Sequence, residues 1–387
     1  MGVHQDNLIT VERETTGAPA QRAKDARHGP ASERVAHHHV VEMEELSSAH
    51  IGRWLELRAS NPALDSPYFH PAFSAAVAAT RPGVRVTVGE TADGSVVSFL
   101  PVQFDKRTCH PAGWPAADFQ GPICAPDVDF DIEAALRAAG ALQYEFDHMR
   151  GESSRLERWI VARQQSPYLD VSGGLDGYLS RASRSGKDKV SEARRLHNKL
   201  EREYGTVRFV AHSDDAALLD SLIAMKRRQY AETGARDYFA ANHRLELVRR
   251  LLSLREVEFG GMLSAVYAGP DLLAAHFGLR AGRVLHWWFP AYDPAFARFS
   301  PGWVLLRAVI QAAPEMGVER IDLGRGLDDY KRRAMTGYEL VSQGTVIRNP
   351  LRRRTASARR RFAQAAKSSP VAPALRSVVR CARRRSR

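Results

Sequence analysis

The chain has 387 residues, 44% of them hydrophobic, and a formal net charge of +12. That is enough apolar material for about two compact domains, and it excludes a disordered chain. No apolar run is long enough to span a membrane and the amino terminus has no secretory signal stretch, so a cytoplasmic protein is the default expectation.

Residues 1–36 are polar, rich in Ala, Arg, Gly and Pro, and lack apolar periodicity, which predicts a disordered leader. The run His37, His38, His39 has the side chains to bind a metal adventitiously, but it sits in this polar leader and is read as having no role. A short helix near Ile51–Arg58 leads to SPYFHPAF, where Ser66 before Pro67 marks a turn and Phe69 and Phe73 are core anchors. Strands are expected at 84–90, 95–104 and 117–123 (ADFQGPI), then a helix near Phe130–Ala139 and a strand near Leu142–Phe146.

The second half opens with strand PYLDV (167–171) and a charged helix at 187–203, on which Val190, Ala193, Leu196 and Leu200 form one narrow stripe. Strand 206–210 is followed by helices at 214–233 and 242–254, and then by strands at 261–268, 271–280 and 283–290 with hairpin-length connections. With Ala281-Gly282 as a two-residue turn, Arg280 pairs with Arg283, Phe277 with His286 and His276 with Trp287, which sends the two histidines to opposite faces. At FSPGW, Ser300 suits an N-cap and Pro301 the first helical turn, with Gly302, Leu305, Leu306, Val309, Ile310 and Ala313 on one buried face. Strand 319–323 follows, parallel to the strand before the helix.

The stretch IDLGRGLDDYKRR (321–333) is neither a dinucleotide fingerprint, whose third glycine would fall at Asp329, nor a P-loop, which needs Gly-Lys-Ser/Thr. Its glycines read as a corner that sets Asp322 and Arg325 at the rim of a cleft, with Tyr330 and Lys331 beginning the element facing the site. A further helix and a strand, ELVSQGTVI, complete the order. From Leu351 onward the chain carries 12 Arg, one Lys and no acid, so this tail holds +13 and residues 1–350 sum to −1. The folded body is therefore neutral, and the tail alone suits contact with RNA or with an anionic membrane surface. The three cysteines, Cys109, Cys124 and Cys381, have no C-x-x-C spacing, so neither a disulfide framework nor a cysteine zinc site is expected.

Strand, two helices, three-stranded meander, helix, parallel strand, then helix and strand resembles the order of the GNAT acyltransferase fold. ADFQGPI, the basic helix ending in HNKLEREYG, MKRRQYAETGARDYF, AYDPAFARFSPGWVLL and Tyr330-Lys331 together resemble the CelD-like and Fem-type tandem branch. The resemblance implies an α/β (α+β) fold of tandem GNAT-like domains with mixed, mainly antiparallel sheets flanked by helices. It places an N-terminal GNAT-like domain at 37–165 and a C-terminal GNAT acyltransferase domain at 166–350, between the leader (1–36) and the basic tail (351–387).

The resemblance further implies acyl-CoA, such as acetyl-CoA, as co-substrate, with its diphosphate at the amino end of the FSPGW helix near Arg298, Ser300, Gly302 and Trp303. Pro301 removes one donor there, which leaves aminoacyl-tRNA, the donor of Fem-type relatives, as the alternative. Acyl transfer needs a base and an acid, so His276 or His286 is the expected base and Tyr330 the thiolate acid. Tyr68, His70, Asp118, Gln120, Asp322, Arg325 and Lys331 are expected to line the acceptor site, for an amine or hydroxyl on a small molecule or a polysaccharide or cell-envelope precursor. No metal or redox cofactor is implied. The expected location is cytoplasmic, with peripheral contact at the inner face of the membrane through the tail. A non-catalytic GNAT-fold scaffold that presents the tail to an anionic partner is the reading from a different class.

Overall fold

The computed structural model describes residues 35–348 apart from 152, 153, 255 and 257. Of the leader expected over residues 1–36, residues 1–34 lie outside the described residues, as do the basic tail and Cys381.

In chain order the first half comprises β1 (His37–Glu42), α1 (Ser48–Ser60), α2 (Pro71–Thr80), β2 (Val84–Glu90), β3 (Val96–Asp105), β4 (Thr108–Pro111), β5 (Ile123–Cys124), α3 (Ile132–Ala138), β6 (Gln143–Met149) and α4 (Ser154–Glu157). Then come β7 (Ile160–Asp170), α5 (Gly174–Arg181), α6 (Arg184–Tyr204), β8 (Val207–Val210), α7 (Ala216–Thr233) and α8 (Asn242–Ser253). The meander is β9 (Phe259–Ala268), β10 (Asp271–Ala281) and β11 (Val284–Tyr292), followed by α9 (Pro301–Ala312), β12 (Arg320–Asp322), α10 (Asp329–Ala334) and β13 (Gly337–Ile347). The order and kind of elements from 184 onward agree with the periodicity, because Val190, Ala193, Leu196 and Leu200 of α6 are all buried, as are Leu305, Leu306, Val309 and Ile310 of α9.

All strands join one mixed, mainly antiparallel sheet in the order β1-β2-β3-β4-β6-β13-β7-β12-β11-β10-β9-β8, with β5 paired to β3. The parallel pairs are β4 with β6 and β11 with β12. The last strand closes the sheet: β13 pairs antiparallel with β6 of the first half on one side and with β7 on the other. β7 itself runs unbroken through residues 165 and 166, where the domain boundary was expected. One core draws on both halves, with Trp54 and Phe73 of α1 and α2 in the same cluster as Leu222 of α7, Leu251 of α8 and Phe277 of β10. A second core, under α5, α6 and α9, lies on β7 and β9–β12, and a third packs α3 on β3, β4, β6 and β13.

Four local expectations are corrected. The histidine run is not leader but the edge strand β1, paired in register with β2. ADFQGPI is not a strand except at its end, Ile123; Gln120 makes an isolated bridge to Met149, and Pro122 cannot donate to a ladder. The β10–β11 turn is Gly282-Arg283, so Ala281 faces Val284 and Leu279 faces His286. A tight hairpin needs positive φ at its first central residue, and Gly282 at φ 53° supplies it where Ala281 would be strained. Lastly, Ser300 caps nothing with its side chain; it stands in the left-handed region and its carbonyl takes the amides of Trp303 and Val304.

Burial pushes the Cys109 and Cys124 thiols up to about 12, which leaves neither as a nucleophile. No helix among the described residues is long and apolar enough to cross a membrane. Because β13 stitches the two halves, a change in its middle is expected to act on the whole. A Cβ at Gly344 would lie 2.3 Å from the Trp159 carbonyl oxygen and 2.6 Å from Phe146. Gly344→Ala should lower stability by about 1–3 kcal/mol, read as an earlier but still single thermal transition; two separated transitions would contradict the shared sheet and core.

Candidate active site

The site forms where β11 and β12 part. They pair only as far as His286 opposite Asp322, after which β12 ends and β11 runs on to Tyr292. A cleft of about 320 Å³ opens there, lined by Trp287, Pro290 and Tyr292 of β11, by Ser300, Gly302, Trp303 and Leu306 at the start of α9, and by Gln229 and Tyr330. Its size is that of a small-ligand site. Of the four residues expected to cradle a diphosphate, Ser300, Gly302 and Trp303 line this cleft. Arg298 does not: it turns to Glu203 at 3.1 Å and to the Tyr204 hydroxyl at 3.1 Å.

On the side facing the first half, the loop after β4 is pinned to β11. The Trp288 indole donates to the Ala116 carbonyl at 3.1 Å, and His286 Nε2 meets Asp118 Oδ2 at 2.9 Å. The other carboxylate oxygen of Asp118 takes His148 Nε2 at 3.0 Å, and His148 Nδ1 reaches Asp147 at 2.8 Å. Gln120 holds this arrangement from behind: its carbonyl accepts the Asp147 and His148 amides, and its NH₂ donates to Asp147. Arg325 closes it from the second half through Asp147 O at 2.8 Å and Asp147 Oδ2 at 3.3 Å.

The charge states follow from these partners. Burial raises the Asp118 carboxyl, but hydrogen bonds from His148 and His286 outweigh it and hold the group well below the usual carboxylate range. Burial likewise lowers His148, while Asp118 and Asp147 together raise it above its ordinary value. An anionic Asp118 can only accept, so His286 must donate from Nε2; in the neutral ring Nδ1 is then the basic nitrogen, and it is buried without a protein partner. The Tyr68 ring stands edge-on to His286 at 4.9 Å, with its buried hydroxyl against the Asp118 backbone. Burial raises the Tyr68 and Tyr330 phenols, and Asp118 raises both further, so both stay protonated donors.

The two histidines have separate surroundings. His276 is fully buried and stacks on Trp287 at 3.7 Å and 10°, on the face opposite the one where His286 meets Tyr68 and Asp118. Burial drives its pKa well below 6.5, opposed by a contact with the His286 backbone. His70 is also structural: its Nδ1 caps α2 and its ring stacks on Phe259 at 4.7 Å. Asp322 is not at a rim but fully buried, held by Arg320 at 2.7 Å, with burial raising its carboxyl. Arg320 also binds Glu339 at 2.7 Å, which Arg150 of the first half shares at 2.7 Å. Lys331 donates to the carbonyls of Arg325 at 3.0 Å and Gly324 at 3.5 Å and so shapes the corner.

The first glycine of GRG is required by a close approach. Gly324 sits at φ 71°, and a Cβ there would lie 2.2 Å from Asp118 Oδ2, so only glycine admits the carboxylate of the other half. His148 and Asp147 were missed in the sequence; the available signal was the polar Asp-His pair ending the alternating strand QYEFDHM.

Asp118→Asn should lower the His148 pKa, read by imidazole NMR titration; an unchanged value would contradict the pairing. The raised His148 contributes stability fully below about 6.5 and loses it as pH rises through its folded value, while the depressed Asp118 contributes above about 3.9 and loses it as pH falls through its own. The wild-type margin over Asp118→Asn in thermal melts should therefore peak between those limits.

Residues 187–332 match the family model described as an acetyltransferase (GNAT) domain. Among solved structures, FemX aligns at 12% identity over 78% of this chain and 97% of its own, with a TM-score of 0.54. The C-terminal domain of a putative lysylphosphatidylglycerol synthetase from Agrobacterium fabrum gives 14% identity, 79% and 94% coverage and a TM-score of 0.47. A tandem GNAT protein from the clavulanic acid biosynthesis pathway gives 11%, 81% and 98%, and 0.45. No curated protein matches by sequence. The domain match spans the parted strands β11 and β12 and the helix α9 between them, so residues 187–332 form a GNAT acetyltransferase domain, and the fold of the chain is similar to that of FemX.

Proposed function

We propose that the enzyme transfers an acyl group from acyl-CoA to an amine or hydroxyl of an acceptor bound between the two halves, with His286 as general base. The observation that carries this is the His286–Asp118 hydrogen bond at 2.9 Å, which joins the halves beside the cleft. A histidine polarised by a buried anion and presenting a free Nδ1 is the arrangement a base needs. Asp118 fixes the tautomer, and His148 with Asp147, Gln120 and Arg325 holds Asp118. The Tyr330 phenol, which lines the cleft and is kept protonated, serves as the acid for the departing thiolate. His276, on the other face and without access to this relay, has no role in proton transfer.

The cleft offers the acyl group and the methylene and methyl groups of the donor's pantetheine arm an apolar wall of Trp287, Pro290, Leu305 and Leu306. At the diphosphate end the fit is sparser. Pro301 has no N–H, and Trp303 and Val304 give theirs to Ser300, so Gly302 supplies the remaining amide of that turn. That sparseness favours one second reading, an aminoacyl-tRNA donor, in which the anionic part of the donor is held by other surfaces, the basic tail included. The acceptor is read as a small molecule or a glycan or cell-envelope precursor, and the tail as the contact to an anionic membrane surface or RNA.

Thiol release from acetyl-CoA should be measured against a panel of amines and alcohols, with donor affinity by calorimetry. Acetyl-CoA binding together with acceptor-dependent release supports the CoA donor; no binding at millimolar acetyl-CoA, with transfer only from charged tRNA, supports the second reading. His286→Asn and Tyr330→Phe should each lower kcat by about 10²–10⁴ with little change in donor affinity. His276→Asn should leave the pH dependence of kcat/KM unmoved, and a shifted profile would reverse the assignment of the base.

A further inference from the structure

We propose that His37, His39 and Glu90 form a binding site for one divalent cation of the zinc type at the outer edge of the sheet. Residues two apart on a strand share a face, so β1 presents His37 and His39 together, and the register places His37 directly opposite Glu90 of β2. His37 Nε2 lies 2.6 Å from one Glu90 carboxylate oxygen and His39 Nδ1 3.8 Å from the other, and the three ligand atoms all fall within 4.8 Å of one another. Bonds of about 2.0–2.2 Å in a tetrahedron separate neighbouring ligand atoms by about 3.3–3.6 Å. The observed distances bracket that value, so small rotations of three side chains suffice.

The surroundings suit a cation as well. The side chains of His37 and His39 are 56% and 41% exposed, which supplies an entry path and leaves a fourth position to solvent. His38, between them, points to the other face and stands edge-on to Phe130 at 5.8 Å, so it is not a ligand. Two imidazoles and one carboxylate select zinc, cobalt, nickel or copper over magnesium and calcium. A cation there ties β1 to its neighbour β2. The site lies at the far end of the first half from β11 and uses none of the residues assigned to acyl transfer.

Metal-stripped full-length protein without an added affinity tag should be titrated with Co²⁺, followed by visible absorption, and with Zn²⁺, followed by thermal shift. Wild type is expected to bind one equivalent at this site, with a rise in Tm. His37→Ala/His39→Ala should weaken that binding by at least about 100-fold, since even changes outside the ligand set cost about 10–100-fold, and Glu90→Gln should weaken it too. Mg²⁺ should compete for nothing. The remaining histidines stay in the double variant, so unchanged Co²⁺ affinity and unchanged Zn²⁺ stabilisation would place binding elsewhere and overturn the site. Absence of any wild-type binding at millimolar Co²⁺ would overturn it as well. Acyl transfer should be unaffected by the double substitution.

Discussion

The structure depends on one strand being paired on both edges. β13 takes backbone hydrogen bonds from β6 of the first half and β7 of the second, and the sheet becomes continuous only through it. Pairing on both edges removes two exposed ladders at once. It also fixes the distance between the halves, because a strand cannot slip by one residue without turning its buried side chains outward. With β13 in place, the loop after β4 lies against β11, and Asp118 comes within reach of His286.

Bringing a carboxylate into such a seam is costly unless it is paired, and here it is paired twice. The two histidines outweigh the burial of Asp118, and Gln120 and Arg325 satisfy the groups around it, so the anion persists where a lone acid would take up a proton. Asp322, paired across the sheet with His286, shows the opposite balance: burial dominates over Arg320 and raises its carboxyl. Two acids close to one histidine thus have different charge preferences, set by their surroundings. That asymmetry lets one carboxylate orient His286 while leaving its other nitrogen free.

Much of the fold was legible where side-chain periodicity is strong. The stripe on α6, the run of meander strands and the buried face of α9 each follow from spacing alone, as burial in the second core confirms. What failed did so for identifiable reasons. ADFQGPI alternates like a strand, but before Ile123 its ladder pairing is the single bridge from Gln120 to Met149. HHHVVE is polar by composition, yet an edge strand with a solvent-facing side tolerates that. The hairpin register shifted because the positive-φ requirement falls on the first turn residue, and a bulge at Trp287–Trp288, opposite Gly278, moved it again further along. Of the site, His286, Asp118, Tyr330 and the start of α9 were named from resemblance. His148 and Asp147 were not, because a contact between halves leaves no local pattern. Asp322 was placed at a rim because a turn follows it, while the charge that holds it lies two residues earlier in Arg320.

The central claim is that Asp118 acts on the reaction only through His286. A double-mutant cycle on kcat/KM with Asp118→Asn, His286→Asn and the pair tests it most directly. The account predicts strong non-additivity, with the double variant about as impaired as His286→Asn alone, because once the base is gone its orienting partner has nothing left to orient. Losses that simply multiply would contradict the account and make the two residues independent.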